Sequence, residues 1–306
     1  MRVFISGPMR GVANYNFGAF DAARDLLIRL GHQVVTPADL DRSAGFVTEC
    51  DGQVVATDAF SIEKALRQDF AFICVCDAIA FLPGWCASTG SLAERRVAID
   101  IGCGLWRVDP VAQTFEREMV IGLSGYARSG KDTAAKCLLE QGFVRGAFAD
   151  KMKTALIALD PYIDSSRRLG EIEGAIIETP SGLLLSEAAK RIPEVRRLLQ
   201  RLGTEAGRKT IGEDVWVRAL LDTSSPVKLV ITDVRFPNEA SAIRALGGLV
   251  IRIERPGVGP INDHESEVAL DGYDVDVVID NDGTVEDLAT KMRAALAAFT
   301  SSEVGV

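Results

Sequence analysis

Histidine is nearly missing from this chain. Of 306 residues only His32 and His264 carry an imidazole. A metal role for His264 would need partners that the sequence does not supply, so it reads as a hydrogen-bonding residue of a polar loop. His32, at a helix stop, carries no functional reading. The six cysteines (Cys50, Cys74, Cys76, Cys86, Cys103 and Cys137) lack zinc-type spacing, and reduced core thiols in a cytoplasmic protein are expected. Excess positive charge is also absent. The net charge of −9 argues against general nucleic-acid binding while leaving room for local basic pockets. No apolar run reaches membrane-spanning length, and Met1-Arg2-Val3-Phe4 enters a strand at once, so neither a membrane span nor a signal peptide is expected. Internal repeats and low-complexity tracts are missing too.

What is present is enough for two ordinary globular cores, with 47% hydrophobic and 25% charged residues. The most informative stretch is Met119 to Ala135. Val120-Ile121-Gly122-Leu123 suits a buried strand, Gly125 to Lys131 is a glycine-framed loop, and Asp132 onward suits a helix. Strand, glycine loop and helix N-terminus in that order form a P-loop, whose backbone N–H groups surround phosphate oxygens while a lysine neutralises their charge. The residue after Lys131 is Asp132 where Ser or Thr is usual, so Thr133 or a water held by Asp132 would serve Mg²⁺. A glycine turn that merely joins a strand to a helix is the bland alternative.

Three segments follow: a first domain over 1–106, a polar linker over 107–118 broken at Pro110, and a second domain over 119–306. Arg2 to Ser6 reads as a strand ending in Ser6-Gly7-Pro8-Met9-Arg10-Gly11. Phe17, Phe20, Leu27 and Leu30 recur at helical spacing until Gly31. Val34-Val35, a helix from about Ser61 to Phe70, a strand from Cys76 to Leu82 and a helix from Ser88 to Ile101 complete it. Asp39 to Phe60 has no legible pattern. Alternation of strand and helix implies a small open parallel sheet, with ligands at the carboxyl ends of its strands. Ser88 is the expected N-cap of the last helix, and Glu94 lies six residues on, about 9 Å along the axis. An anion at that N-terminus would sit about a nucleotide's length from Glu94. Otherwise Glu94 is a solvated helix residue beside Arg95 and Arg96.

ISGPMRG, NFGAFDAA and CDAIAFLPGWCASTGSLAERRVA resemble the nucleoside 2-deoxyribosyltransferase-like superfamily, including its deoxynucleoside 5′-monophosphate N-glycosidases. The resemblance implies that Glu94 attacks C1′ of a deoxyribose, that Ser88 contacts a 5′-phosphate, and that Ser6 and Asp77 border the site. Deoxyribosyltransferase-like domains often assemble to complete their sites, so a homo-oligomer is compatible with it. Whether this domain turns a nucleotide over or only binds one is open.

In the second domain, Ala147 to Lys153 places Asp150 and Lys153 just past a short strand, as acceptor-site candidates or as a capped helix with solvated lysines. Asp160 to Thr179 is hard to place and could be a mobile lid. Val195 to Arg208 carries four arginines suited to clamping phosphates. Trp216 reads as core in preference to base-stacking, and Leu229 to Asp233 is an apolar strand closed by an acid, as in a Walker B element. IGLSGYARSGKDTAA, GAFADKMK, LLQRLGTEAGR, DVWV, ITDVRFPNEA, VIRIERPG and HESE, in that order, resemble the phage deoxynucleoside monophosphate kinase family.

That resemblance implies a P-loop nucleotide kinase fold for the second domain of an α/β chain, whose first domain is expected, from its own alternation and motifs, to be Rossmann-like and deoxyribosyltransferase-like. The kinase resemblance implies transfer of the ATP γ-phosphate to a dNMP. A place in the host cytoplasm is expected beside it, and charge and hydropathy leave nucleic acid and membrane out as expected partners. By position, Gly125, Arg128, Ser129, Gly130, Lys131, Asp132 and Thr133 would hold ATP, and Asp233 with Thr133 would organise Mg²⁺. Arg235, Arg201 and Arg208 would contact phosphates, and Asp150 and Lys153 would border the acceptor. A nucleotide sensor with a slow ATPase loop, or a bifunctional enzyme using both Glu94 and Lys131, are the competing readings.

Overall fold

The computed structural model describes residues 1–48, 53–56, 61–179, 182–221, 227–260 and 268–302. His264 and the HESE segment, and Cys50, lie outside them. Two compact units emerge, residues 1–119 with 245–247, and residues 120–244 with 248–306.

The first unit contains β1 (Arg2–Ser6), α1 (Phe17–Arg29), β2 (Gln33–Val35), α2 (Pro37–Ala44), β3 (Phe46–Thr48), β4 (Val54–Ala56), α3 (Ile62–Ile73), β5 (Ala78–Phe81), α4 (Thr89–Asp100), β6 (Gly104–Asp109) and β7 (Thr114–Arg117). Its main sheet runs β2-β1-β5-β6-β7, parallel except for β7. Val3, Phe4 and Ile5 are fully buried, as expected of a strand covered on both faces, and α1 presents Phe17, Phe20, Ala23 and Leu27 to the core. The stretch after Pro37 with no legible pattern begins with a helix. Thr36 caps α2 by accepting the N–H of Asp39 at 3.0 Å, and Pro37 fills the first helical turn, where its missing N–H costs nothing.

Residues 107–118, expected as a linker, instead belong to this sheet. β6 and β7 form an antiparallel hairpin in which Trp106 stacks on Phe115 with centroids 4.2 Å apart. Pro110 sits in its turn, where Asp109 accepts the N–H groups of Val111 and Ala112. Nor are the cysteines uniformly core thiols: Cys103 and Cys137 are buried, but Cys74 and Cys86 are exposed.

The second unit carries β8 (Met119–Ser124), α5 (Lys131–Leu139), β9 (Val144–Gly146), α6 (Phe148–Leu159), β10 (Ile176–Thr179), β11 (Gly182–Leu185), α7 (Pro193–Gln200), a π-helical segment (Arg201–Ile211), α8 (Val215–Leu221), β12 (Lys228–Ile231), α9 (Pro237–Ala245), β13 (Leu249–Glu254), β14 (Val277–Asp280) and α10 (Val285–Ser302). The sheet order is β14-β13-β8-β12-β9, with β8 central. The pairs β9/β12, β8/β13 and β13/β14 are parallel. The chain leaves β8 for the β9 edge and later crosses to β13, so the loop after β8 opens at a switch point of the sheet. Residues 160–179, expected as a candidate lid, carry core instead: Leu169 and Ala175 pack with Leu156, Leu185 and Val195. Among the described residues no helix is long and apolar enough to cross a membrane.

Candidate functional site

The loop after β8 has the backbone of a phosphate cradle. Gly125 and Gly130 adopt φ of +128° and +109°. A Cβ on Gly125 would lie 2.3 Å from the carbonyl oxygen of Ile253, and one on Gly130 equally close to Asn281 Nδ2, so only glycine fits either position. Arg128 is held at φ +69°, which is strained for a residue with a side chain. Lys131 begins α5 and donates its ammonium to the carbonyls of Gly125 (2.5 Å) and Tyr126 (2.7 Å). Ser129 is 1% exposed and its hydroxyl has no hydrogen-bond partner among the described residues. Asn281, which no sequence pattern marked, closes the loop by donating to the carbonyl of Ser129 at 2.8 Å.

A cavity of about 800 Å³ opens from this loop between α5, α6, the π-helical segment and the turn after β12. Arg128, Lys131, Lys153, Arg208 and Arg235 line it, as does Arg196 from the arginine-rich stretch, together with three cations that no sequence pattern marked: Arg145, Lys190 and Arg255. Its acids are Asp132, Asp233 and Glu239, so the wall is strongly cationic. Phe148, Met152, Leu199, Trp216 and Phe236 supply an apolar side. Trp216 is therefore not simply core. Its indole N–H donates to Gly203 O at 3.0 Å, and the absence of a side chain on Gly207 lets the ring approach the helix.

The structure separates Arg201 from Arg208. Arg208 reaches the cavity, but Arg201 pairs with Glu205 at 3.2 Å and lines a different groove beside Leu156 and Leu198. Asp150 does not line the cavity either. It braces two cations that do, Lys153 at 2.8 Å and Arg145 at 3.3 Å.

Asp233 follows β12, and its two oxygens accept the N–H groups of Phe148 (2.8 Å) and Ala149 (3.0 Å) at the start of α6. Loss of solvent pushes its pKa up, and these two bonds oppose the rise. Among the described residues no group of three or more His, Cys, Asp or Glu could hold a metal by itself. Mg²⁺ asks for less, binding through one or two carboxylates, waters and substrate phosphates. Thr133, Asp132 and Asp233 on one cavity wall fit that donor set. A second cavity of about 510 Å³ lies on the β13 side of the same loop, with Tyr126, Arg252, Glu254, Arg255 and Asp271 in its wall.

In the first unit, Ser6 ends β1 and donates its hydroxyl to Glu94 at 2.5 Å. Glu94 is 6% exposed, so it is not a solvated helix residue, and burial raises its pKa. Ser88 caps α4 through the N–H of Ser91, and a Cβ on Gly90 would touch both the Ser88 hydroxyl and Glu94. The next residue, Arg95, ties the helix to the end of β7, ion-paired to the buried Glu118 at 3.1 Å over the ring of Trp85. Asp77 does not belong to this group. It precedes β5, at the amino ends of the strands, and accepts the N–H of Arg2 at 2.6 Å. The acids that do act on one another here are Asp69 of α3 and Asp41 of α2, both buried. Burial and then the charges of Glu94 and Asp41 push Asp69 up to about 8, while burial alone takes Asp41 to about 6.

Residues 1–106 match a domain of unknown function, DUF4406, and residues 184–292 match the deoxynucleotide monophosphate kinase family. A protein of Acanthamoeba polyphaga mimivirus, provisionally named as such a kinase, is 32% identical over 191 residues, covering 57% of this chain and 94% of that protein. The deoxynucleotide monophosphate kinase of Enterobacteria phage T4 is 36% identical over 108 residues, 33% of this chain and 45% of its own length. The deoxynucleoside-5′-monophosphate kinase of Escherichia phage T5 is 25% identical over 181 residues, 41% of this chain and 72% of its own. The glycine loop, its lysine and the cationic cavity thus belong to a chain with viral relatives, one of them 32% identical over 94% of its own length: the protein is a member of the deoxynucleotide monophosphate kinase family.

Proposed function

We propose that the second unit, a P-loop nucleotide kinase, transfers the γ-phosphate of ATP to a deoxynucleoside monophosphate, giving dNDP and ADP. The observation that carries this reading is the position of the P-loop lysine at one end of a large cationic cavity with an apolar side. The cradle N–H groups and Lys131 hold the donor phosphates, the ammonium exchanging the Gly125 and Tyr126 carbonyls for phosphate oxygens. Thr133 and Asp233, directly or through waters, would hold Mg²⁺, whose charge would offset that of the donor phosphates. Arg208, Arg235, Lys153 and Arg196 surround the acceptor and the transferring group, and Phe148, Met152 and Trp216 receive its base. The cavity on the β13 side takes the donor nucleoside. Phosphoryl transfer needs position and charge neutralisation more than covalent help, and this wall offers both.

A second activity in the first unit is favoured by one observation, the burial of Glu94 against Ser6 with Asp69 nearby. A carboxylate nucleophile at Glu94 would attack C1′ as the C1′–N bond breaks. A protonated Asp69 would give its proton to the departing base. Water, losing a proton to Asp69, would then hydrolyse the glycosyl ester to release the sugar phosphate and restore Glu94.

Product analysis tests both. The protein is incubated with each dNMP and Mg·ATP, and bases, sugar phosphates, dNMPs and dNDPs are separated by chromatography with mass detection. Formation of dNDP alone supports the kinase and assigns the first unit to binding. Free base and deoxyribose 5-phosphate that vanish in Glu94→Ala support both activities. ATP consumption independent of any dNMP contradicts the kinase reading.

A further inference from the structure

Glu239 is 3% exposed, lies in the first turn of α9, and has no assigned part in phosphoryl transfer. Both of its oxygens are committed to the cavity wall. One receives the guanidinium of Arg208 at 2.5 Å, reaching from the π-helical segment. The other receives the backbone N–H groups of Arg235 at 2.8 Å and Phe236 at 3.2 Å. Arg208 is thereby fixed on several sides. Its second terminal nitrogen donates to Asn238 at 3.4 Å, and its plane lies 4.0 Å from the centroid of Phe236. Asn238 is itself held, donating to Asp214 at 2.9 Å. One carboxylate therefore joins three pieces of the wall: the π-helical segment, the turn after β12 and α9.

An arginine free in solvent has much rotamer entropy to lose when it engages a phosphate. A buried partner that orders it beforehand moves that cost from substrate binding to folding, which is the benefit of preorganisation. The geometry of Glu239 has this character, because its oxygens face protein donors and leave Arg208 directed at the cavity.

We propose that Glu239 is a positioning residue of the kinase reaction, holding Arg208 and the Arg235–Phe236 turn in the arrangement that receives the phosphates. The proposal rests on the role given to Arg208 above. In this role Glu239 acts on the phosphates through Arg208.

A double-mutant cycle on kcat and KM separates this from a buried ion pair that serves stability alone. Wild type, Glu239→Gln, Arg208→Ala and the double variant are assayed for dNDP formation with the four common dNMPs, and thermal unfolding of each is recorded. Glutamine keeps the shape and one acceptor oxygen for the turn but loses the ion pair. Each single substitution is expected to lower kcat/KM by about tenfold or more. The double variant should be no worse than Arg208→Ala, since without the arginine nothing remains to position. Losses that multiply in the double variant overturn the proposal. So does a Glu239→Gln enzyme with wild-type kinetics beside an impaired Arg208→Ala. Wild-type kinetics in Arg208→Ala would instead overturn the role of Arg208 itself. Glu239→Asp, which retains the charge on a shorter stem, supplies the same cycle if the amide variant does not fold.

Discussion

Asp233 closes the first turn of α6 through Phe148. The N–H of Phe148 donates to one carboxylate oxygen at 2.8 Å, and that of Ala149 donates to the other at 3.0 Å. The acid at the end of β12 is thus the cap of a helix 85 residues away in the chain, on a wall that also carries Thr133 and Lys131. Asp233→Asn turns one acceptor into an N–H donor facing an N–H. A loss of about 1 kcal/mol of stability is expected, the usual worth of a helix cap, together with a fall in dNDP formation. Urea unfolding beside the kinase assay checks it. Unchanged stability would show that the cap is dispensable.

Gly125→Ala places a methyl group 2.3 Å from the carbonyl of Ile253 at a φ of +128°. The strain of such a position is on the order of 1–3 kcal/mol, and relief requires the loop to move away from β13. ATP binding by calorimetry should weaken in step with the melting temperature. An alanine variant that binds ATP as wild type would contradict the assigned cradle.

The two arginines of the π-helical segment give a sharper contrast. Seven residues make nearly two turns of an α-helix, which would put Arg201 and Arg208 on one face. The segment is wound wider, with i→i+5 bonds such as Gly212 N–H to Gly207 O, so seven residues fall short of two turns. Arg208→Ala is expected to lower kcat/KM by about 10²-fold, in the range for losing one transition-state donor. Arg201→Ala should leave it within about twofold. The reverse ordering would restore Arg201 to the site.

In the first unit the pH dependence of stability follows from Asp69. Its folded pKa, about 8, lies above the ordinary carboxylate value. Such a group stabilises the fold fully below its unfolded pKa, and the contribution is lost as pH rises through the folded one. Stability should therefore fall from about pH 4 to about pH 8, with Asp41 and Glu94 acting in the same direction. Denaturant unfolding followed by the fluorescence of Trp85 and Trp106 reads this slope. Asp69→Asn should flatten it, and a slope unchanged in the variant would remove Asp69 as its source.

What could be read from the chain alone was what is local in it. The glycine-framed turn from Gly125 to Gly130 and the helix start at Lys131 were legible because such a turn is set by backbone conformation over a few consecutive residues. Ser88 was legible as a cap for the same reason. Asp77 was misplaced, because a residue near a strand says nothing about which end of the sheet it meets. Asp69 was missed for the complementary reason: only the packing of α3 brings it near Glu94. The 107–118 hairpin was hidden by its polar residues, since an edge strand needs few apolar ones, and Trp106 and Phe115 show their pairing only once the strands are in register. Asn281 and Glu239 act across more than thirty and up to 152 residues of sequence, and no spacing rule reports that.

The most direct test of the kinase account is dNDP formation by Lys131→Ala, measured beside its melting curve. The account predicts a folded protein whose dNMP-dependent dNDP and ADP production is nearly abolished, because the main counter-charge of the donor phosphates is gone. A folded Lys131→Ala protein with full kinase activity would contradict it.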